Sequence, residues 1–164
     1  MAQDTVQNDL DVNGALTCRQ FNPPAGCVID ASVLAGANVA ATKLQHRHMP
    51  KLAQANGVVA AAERRVIHIA KASGTITLCK ATVTVAAIGD STATFDVKKN
   101  DTTILTGTVT FTSSDVAYTL KSGTLAVTTF VASDVFEVVI TVSAGTGTLP
   151  KGLVVELTLD ENGT

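Results

Sequence analysis

Residues 92–111 read TATFDVKKNDTTILTGTVTF, and the fold class follows from them. Ala93, Phe95 and Val97 alternate with Thr94, Asp96 and Lys98. After Lys99-Asn100-Asp101, residues Leu105, Gly107, Val109 and Phe111 alternate with Thr106, Thr108 and Thr110. A period of two places the apolar set on one face of a strand and the threonines on the other. Asn100 and Asp101 both belong to residue types that tolerate positive φ, so two such runs joined by this pair predict a β-hairpin.

The same period extends outward from this hairpin. Upstream, Val66, His68 and Ala70 alternate with Arg65, Ile67, Ile69 and Lys71, then Ile76 and Leu78 with Thr75, Thr77 and Cys79, and Val83, Val85 and Ala87 with Thr82, Thr84 and Ala86. Downstream, Leu125 and Val127 precede Phe136, Val138, Ile140 and Val142, which oppose Val135, Glu137, Val139 and Thr141. The last run sets Leu153, Val155, Leu157 and Leu159 against Val154, Glu156, Thr158 and Asp160. Turn residues such as Ser73-Gly74, Gly89-Asp90, Ser122-Gly123 and Ser133-Asp134 separate the runs. About eight short strands with no helical pattern between them predict an all-β chain, an antiparallel β-sandwich or jelly-roll-like barrel over residues 58–164. Composition agrees: of 24 Thr, 21 lie at or beyond residue 75, and 21 Val accompany them. β-branched side chains fit a pleated sheet better than a helix.

Residues 1–57 read differently, as an N-terminal arm that is extended or partly helical. Gly14, Pro23-Pro24, Gly26, Gly36 and Pro50 interrupt any long period. Asp30 to Leu44 is the local helix candidate, with Asp30 as its cap, and an extended arm is the alternative. Cys18 and Cys27 flank Asn22-Pro23-Pro24 and either close a small loop or remain thiols. Cys79 falls in a Thr-rich strand and reads as a small, half-buried side chain. The residues from Met1 to Asp11 carry three acids and no base, so the expectation is a chain made without a secretory signal. The uncharged runs Ser122–Ser133 and Val138–Pro150 are too short and too often broken by Gly, Ser and Thr for a membrane span.

Charged residues are only 16% of the chain, and the net charge of −2 conceals a layout. Residues 1–42 carry a net −3, residues 43–80 a net +6 and residues 81–164 a net −5, with all three histidines in the basic block. Such a pattern fits a chain that buries surface against neighbours. Lys43, Leu44, Gln45, His46, Arg47, His48, Met49 and Lys51 form a candidate partner-contact element: cations to meet an acidic surface, Leu44 and Met49 as apolar anchors. A solvated linker is the alternative. Metal binding by His46 and His48 would need further ligands that no Cys-x-x-Cys or similar spacing supplies, so neither a metal nor a cofactor is expected. The basic block lacks interleaved aromatics, which argues against nucleic acid.

Enzyme signatures are missing. There is no Gly-x-Ser-x-Gly, no Walker loop and no Gly-x-Gly-x-x-Gly. Asp96, Glu137 and Glu156 each fall on the polar face of a strand, where solvation is the ordinary state. Asn100-Asp101-Thr102 matches a glycosylation sequon but reads as a turn.

Several segments resemble head decoration, or cement, proteins of tailed bacteriophages. They are Lys43 to His48, Phe95 to Asn100, Thr103 to Thr106, and Gly145 to Leu153 running into Val154, Glu156, Thr158 and Asp160. The resemblance spans roughly residues 43–160. It implies a β-rich structural virion protein, often a homotrimer, that binds the outer capsid surface against the major capsid protein. It supplies no catalytic residues to carry over, and no enzymatic activity is expected. No membrane and no nucleic-acid partner is expected either, on the short uncharged runs and missing aromatics above. The other functions weighed are a head fibre or tail-associated sandwich binding a host surface, and a carbohydrate-binding module. Sugar stacking would fall to Tyr118, the single Tyr of a chain without Trp.

Overall fold

Alternating Val, Ile, Leu and Phe give each long strand one apolar face, and two antiparallel sheets close those faces on each other. The computed structural model describes residues 45–162. Among them eleven strands follow in chain order. These are β1 (Gln45–His48), β2 (Lys51–Ala53), β3 (Glu63–Ile69), β4 (Gly74–Thr82), β5 (Thr92–Lys99) and β6 (Thr102–Thr103). Then come β7 (Val109–Phe111), β8 (Lys121–Ser122), β9 (Thr129–Phe130), β10 (Val135–Ser143) and β11 (Val154–Asn162).

One sheet has the order β1-β11-β4-β8, with β2 also on β11 and β9 also on β4. The other has the order β3-β10-β5-β6, with β7 also on β5. The all-β, two-sheet reading is correct. Phe95, Phe111, Phe136, Leu153, Leu157 and Leu159 are among the fully buried side chains between the sheets. Edge-to-face packing of Phe130 on Phe136 adds to that core. The hairpin forms where expected: β5 turns into β6 through Asn100 and Asp101, at φ 49° and 65°. No helix of the described residues is long and apolar enough to cross a membrane.

Three expectations change. First, β1 and β2 pair with β11, and Leu52 is fully buried, so the sandwich takes in residues 45–53 of the expected arm. Those strands are four and three residues long, too short to display a period. Second, the alternation slips by one residue at two places. In β3, Ile67 has no partner between the pairs Phe136–His68 and Glu137–Val66, and in β4, Thr77 has none between Thr158–Leu78 and Leu159–Ile76. Each is a β-bulge, which sends the residues beyond it to the other face. Val66 is therefore exposed while His68 faces inward, and Cys79, not Leu78, joins Ile76 in the core. Third, Glu137 is buried rather than solvated, because Arg64 of the neighbouring strand reaches over it. The candidate helix at Asp30–Leu44 and the Cys18–Cys27 pair lie outside the described residues.

Candidate functional site

β1 ends one sheet and β3 ends the other, and both ends lie on the same side of the sandwich. The register of β1 on β11 pairs His46 with Glu161, Arg47 with Asp160 and His48 with Leu159. Cross-strand partners share a face, so His46 and His48 join the side carrying Leu159, while Arg47 and Asp160 stand on the outer face. There the Arg47 guanidinium donates from Nε to Asp160 Oδ1 at 2.7 Å and from Nη2 to Oδ2 at 3.0 Å. That fork holds the Asp160 carboxyl below the ordinary carboxylate range.

Glu161 closes the core-facing row of β11. Its Oε1 accepts the backbone N–H of Lys71 and of Ala72, both at 2.5 Å. Its Oε2 lies 3.3 Å from Nε2 of His48 and 3.3 Å from Nε2 of His68. One carboxylate thus ties β1, β3 and the β3–β4 turn to β11. Burial disfavours its charge, but the amides of Ala72 and Lys71, with His68 and His48 behind them, outweigh burial and lower its pKa. The His48 and His68 rings stand 5.0 Å apart. All three histidines of the chain, with Lys71 and Glu161, line a cavity of about 380 Å³ at this edge. Among the described residues no group of three or more His, Cys, Asp or Glu side chains is placed to hold a metal ion.

On β3, Arg64 donates to Glu137 at 2.7 and 2.6 Å and to Asp101 at 2.9 Å, and Arg65 pairs with Glu63. The exposures within these pairs set the character of the surface. Side-chain exposure is 64% for Arg47 against 10% for Asp160, 54% for Arg64 against 10% for Glu137, and 55% for Arg65 against 24% for Glu63. The pairs balance in charge, yet each of these three leaves its cation the more exposed partner. In the fourth, Arg64 with Asp101, the carboxylate is the more exposed, 70% against 54%. Lys51 and Lys71 are exposed here too, and neither has an ion-pair partner among the described residues. What reaches an incoming partner along this edge is mostly guanidinium and ammonium, with the Asp101 carboxylate beside Arg64, interspersed with exposed Met49, Val66 and Ile69.

Of the expected contact residues, Gln45, His46, Arg47, His48, Met49 and Lys51 run along β1, β2 and their connection. Lys43 and Leu44 lie outside the described residues. The structure adds Arg64, Arg65, His68 and Glu161. The first three fall in the basic block, which was a signal; nothing around Glu161 marks it as the acceptor for two histidines. Tyr118 sits elsewhere, 71% exposed with φ at 62°, between exposed Val116 and Leu120. Comparison with protein-family models, curated proteins and solved structures returns no match for this chain.

Proposed function

We propose that this chain is a structural virion protein, a decoration or cement protein that binds the outside of a tailed-phage head as a homotrimer. Its partner is the major capsid protein, and it performs no catalysis. The observation that carries the reading is the outward cation of three ion pairs on the β1/β3 edge, Arg47–Asp160, Arg64–Glu137 and Arg65–Glu63. Buried Asp160 and Glu137 and the partly exposed Glu63 hold the arginines in place while leaving their charge available to a partner with acidic character. The resemblance of residues 43–160 to cement proteins supports the same reading. A rigid sandwich that binds only an expanded shell stabilises that shell by mass action, and repetition over many sites makes a weak contact sufficient.

The test is stoichiometry in purified particles. Mass spectrometry of intact virions is expected to find this chain in copies comparable with the coat protein. A few copies per particle would favour a head fibre or tail-associated role, and absence would exclude a virion protein. The exposed Tyr118 favours a second reading, a carbohydrate-binding module, since a projecting aromatic ring suits stacking on a sugar. Glycan-array binding abolished by Tyr118→Ala would support it.

A further inference from the structure

We propose that the outer edge of β3 is a strand-addition site for an extended protein segment that carries carboxylates on one face and apolar side chains on the other. This names the partner chemistry of the edge on which the proposed function rests, and goes beyond that function in stating the mode of binding.

β3 is seven residues long, contains no proline and pairs on one side only, with β10. Every second residue of such a strand turns its N–H and C=O away from the sheet, a ready template for one more strand. Near its start the Gln54 side chain covers Ala61 and reaches Glu63; from Arg64 to Ile69 no backbone partner on that side occurs among the described residues. Two features select what can be added. Arg64 and Arg65 are both more than half exposed, and two copies of β3 paired edge to edge would crowd four guanidinium groups together. The bulge at Ile67 further discourages indiscriminate pairing. A strand bearing carboxylates on its inner face meets Arg65 favourably, so charge that repels a second copy attracts an acidic partner. Arg64, on the outer face, is already held by Glu137 and Asp101.

Side-chain direction fixes the pattern. Arg65 is paired with buried Val138 and lies on the side facing the opposite sheet, whereas Val66 and Ile69 lie on the outer side. A strand with Glu toward Arg65 and Val toward Val66 and Ile69 satisfies both faces. Beyond Ile69 the cavity lined by His46, His48, His68, Lys71 and Glu161 adds the Lys71 ammonium to this edge. The alternative partner for exposed arginines is nucleic acid. The open backbone template and the apolar Val66 and Ile69 favour a peptide, because a phosphate chain would use neither.

The probe is a synthetic decapeptide of alternating Glu and Val with blocked ends, titrated into the full chain and followed by NMR amide exchange. The expected result is saturable binding that slows exchange of the outward amides between Arg64 and Ile69, with no binding of a Lys-Val decapeptide. Arg65→Glu is expected to weaken binding at least tenfold; its partner Glu63 is partly exposed, so folding should survive. Val66→Glu, at an exposed position, is the second variant and is expected to weaken binding likewise. Absence of binding at millimolar peptide, shifts without slowed backbone exchange, or unaltered affinity of both folded variants would overturn the proposal. So would an oligothymidylate that binds the edge more tightly than the peptide. Because the readout is peptide binding to the isolated chain, its failure is separate from any count of copies in virions.

Discussion

Cys79 shows how far a single residue's chemistry is set by its neighbours. It is fully buried on the core face of β4, and burial, with the Asp96 carboxylate adding to it, pushes the thiol up to about 12. A thiol held in that state is a poor nucleophile. Alkylation mapped by peptide mass is expected to leave Cys79 unmodified in the native protein and to label it once urea unfolds the chain. Labelling under native conditions would contradict its placement in the core. The carboxylates behave in the opposite sense. Asp160 is lowered by Arg47, Asp134 by the Val131 amide and Asn100, and Glu161 by the Ala72 and Lys71 amides against the cost of burial. As pH falls, the unfolded chain takes up these protons first, at its ordinary values near about 4. The stability these groups contribute is therefore complete above that range and is lost as pH falls through the lower folded values. Thermal melting is expected to fall from about pH 4 downward. Asp160→Asn should make that acid limb shallower; a limb as steep as the parent's would contradict the role given to Arg47.

Among the elements, the β5–β6 hairpin is where local sequence and tertiary contact reinforce each other most directly. Asn100 adopts positive φ, donates its amide to Asp134 Oδ1 at 2.6 Å and accepts the Val135 N–H at 2.9 Å. It both makes the turn and fastens it to the start of β10. Asn100→Ala removes two hydrogen bonds and strains the turn, at a cost of about 2 kcal/mol. Urea titration is expected to show a lowered midpoint with an unchanged slope, whereas a shift within error would mean the turn contributes little. Long strands were legible in the same local way: β10 and β11 bury the residues their alternation predicts. β3 and β4 were legible only up to their bulges, since one extra residue in a ladder leaves no mark in the sequence when both flanking residues suit a strand. Ile67 and Thr77 are both β-branched and give no warning.

At the scale of the molecule, charge that looks segregated along the chain is compensated in space. The basic block from residue 43 onward meets acids of the acidic C-terminal part: Arg47 with Asp160, Arg64 with Glu137 and Asp101. What survives at the surface is orientation, cations outward and carboxylates inward along the β1/β3 edge. At Asp101 the order reverses, on this edge as well as off it: the carboxylate is the more exposed partner of both Arg64 and Lys98. An edge of this kind should dominate association with an acidic shell, while a trimer contact would use less charged surface. Light scattering of the purified chain is expected to return three times the 16.8 kDa chain mass. A monomeric mass at micromolar concentration would remove the homotrimer from the proposed function.

The sequence alone determined the all-β class, the inward face of β5, β10 and β11, and the hairpin at Asn100-Asp101. Each rests on a period or a turn preference that a few neighbouring residues express. It also marked the stretch around His46 to Lys51 as a contact candidate through its charge. Only the tertiary structure placed that stretch within a sheet, shifted the register at Ile67 and Thr77, and turned Glu137, Asp160 and Glu161 into buried acceptors. Arg47 and Asp160 are 113 residues apart, and His68 and Glu161 are 93 apart. Pairings over such distances follow from the order of strands in a sheet, and no local period encodes that order.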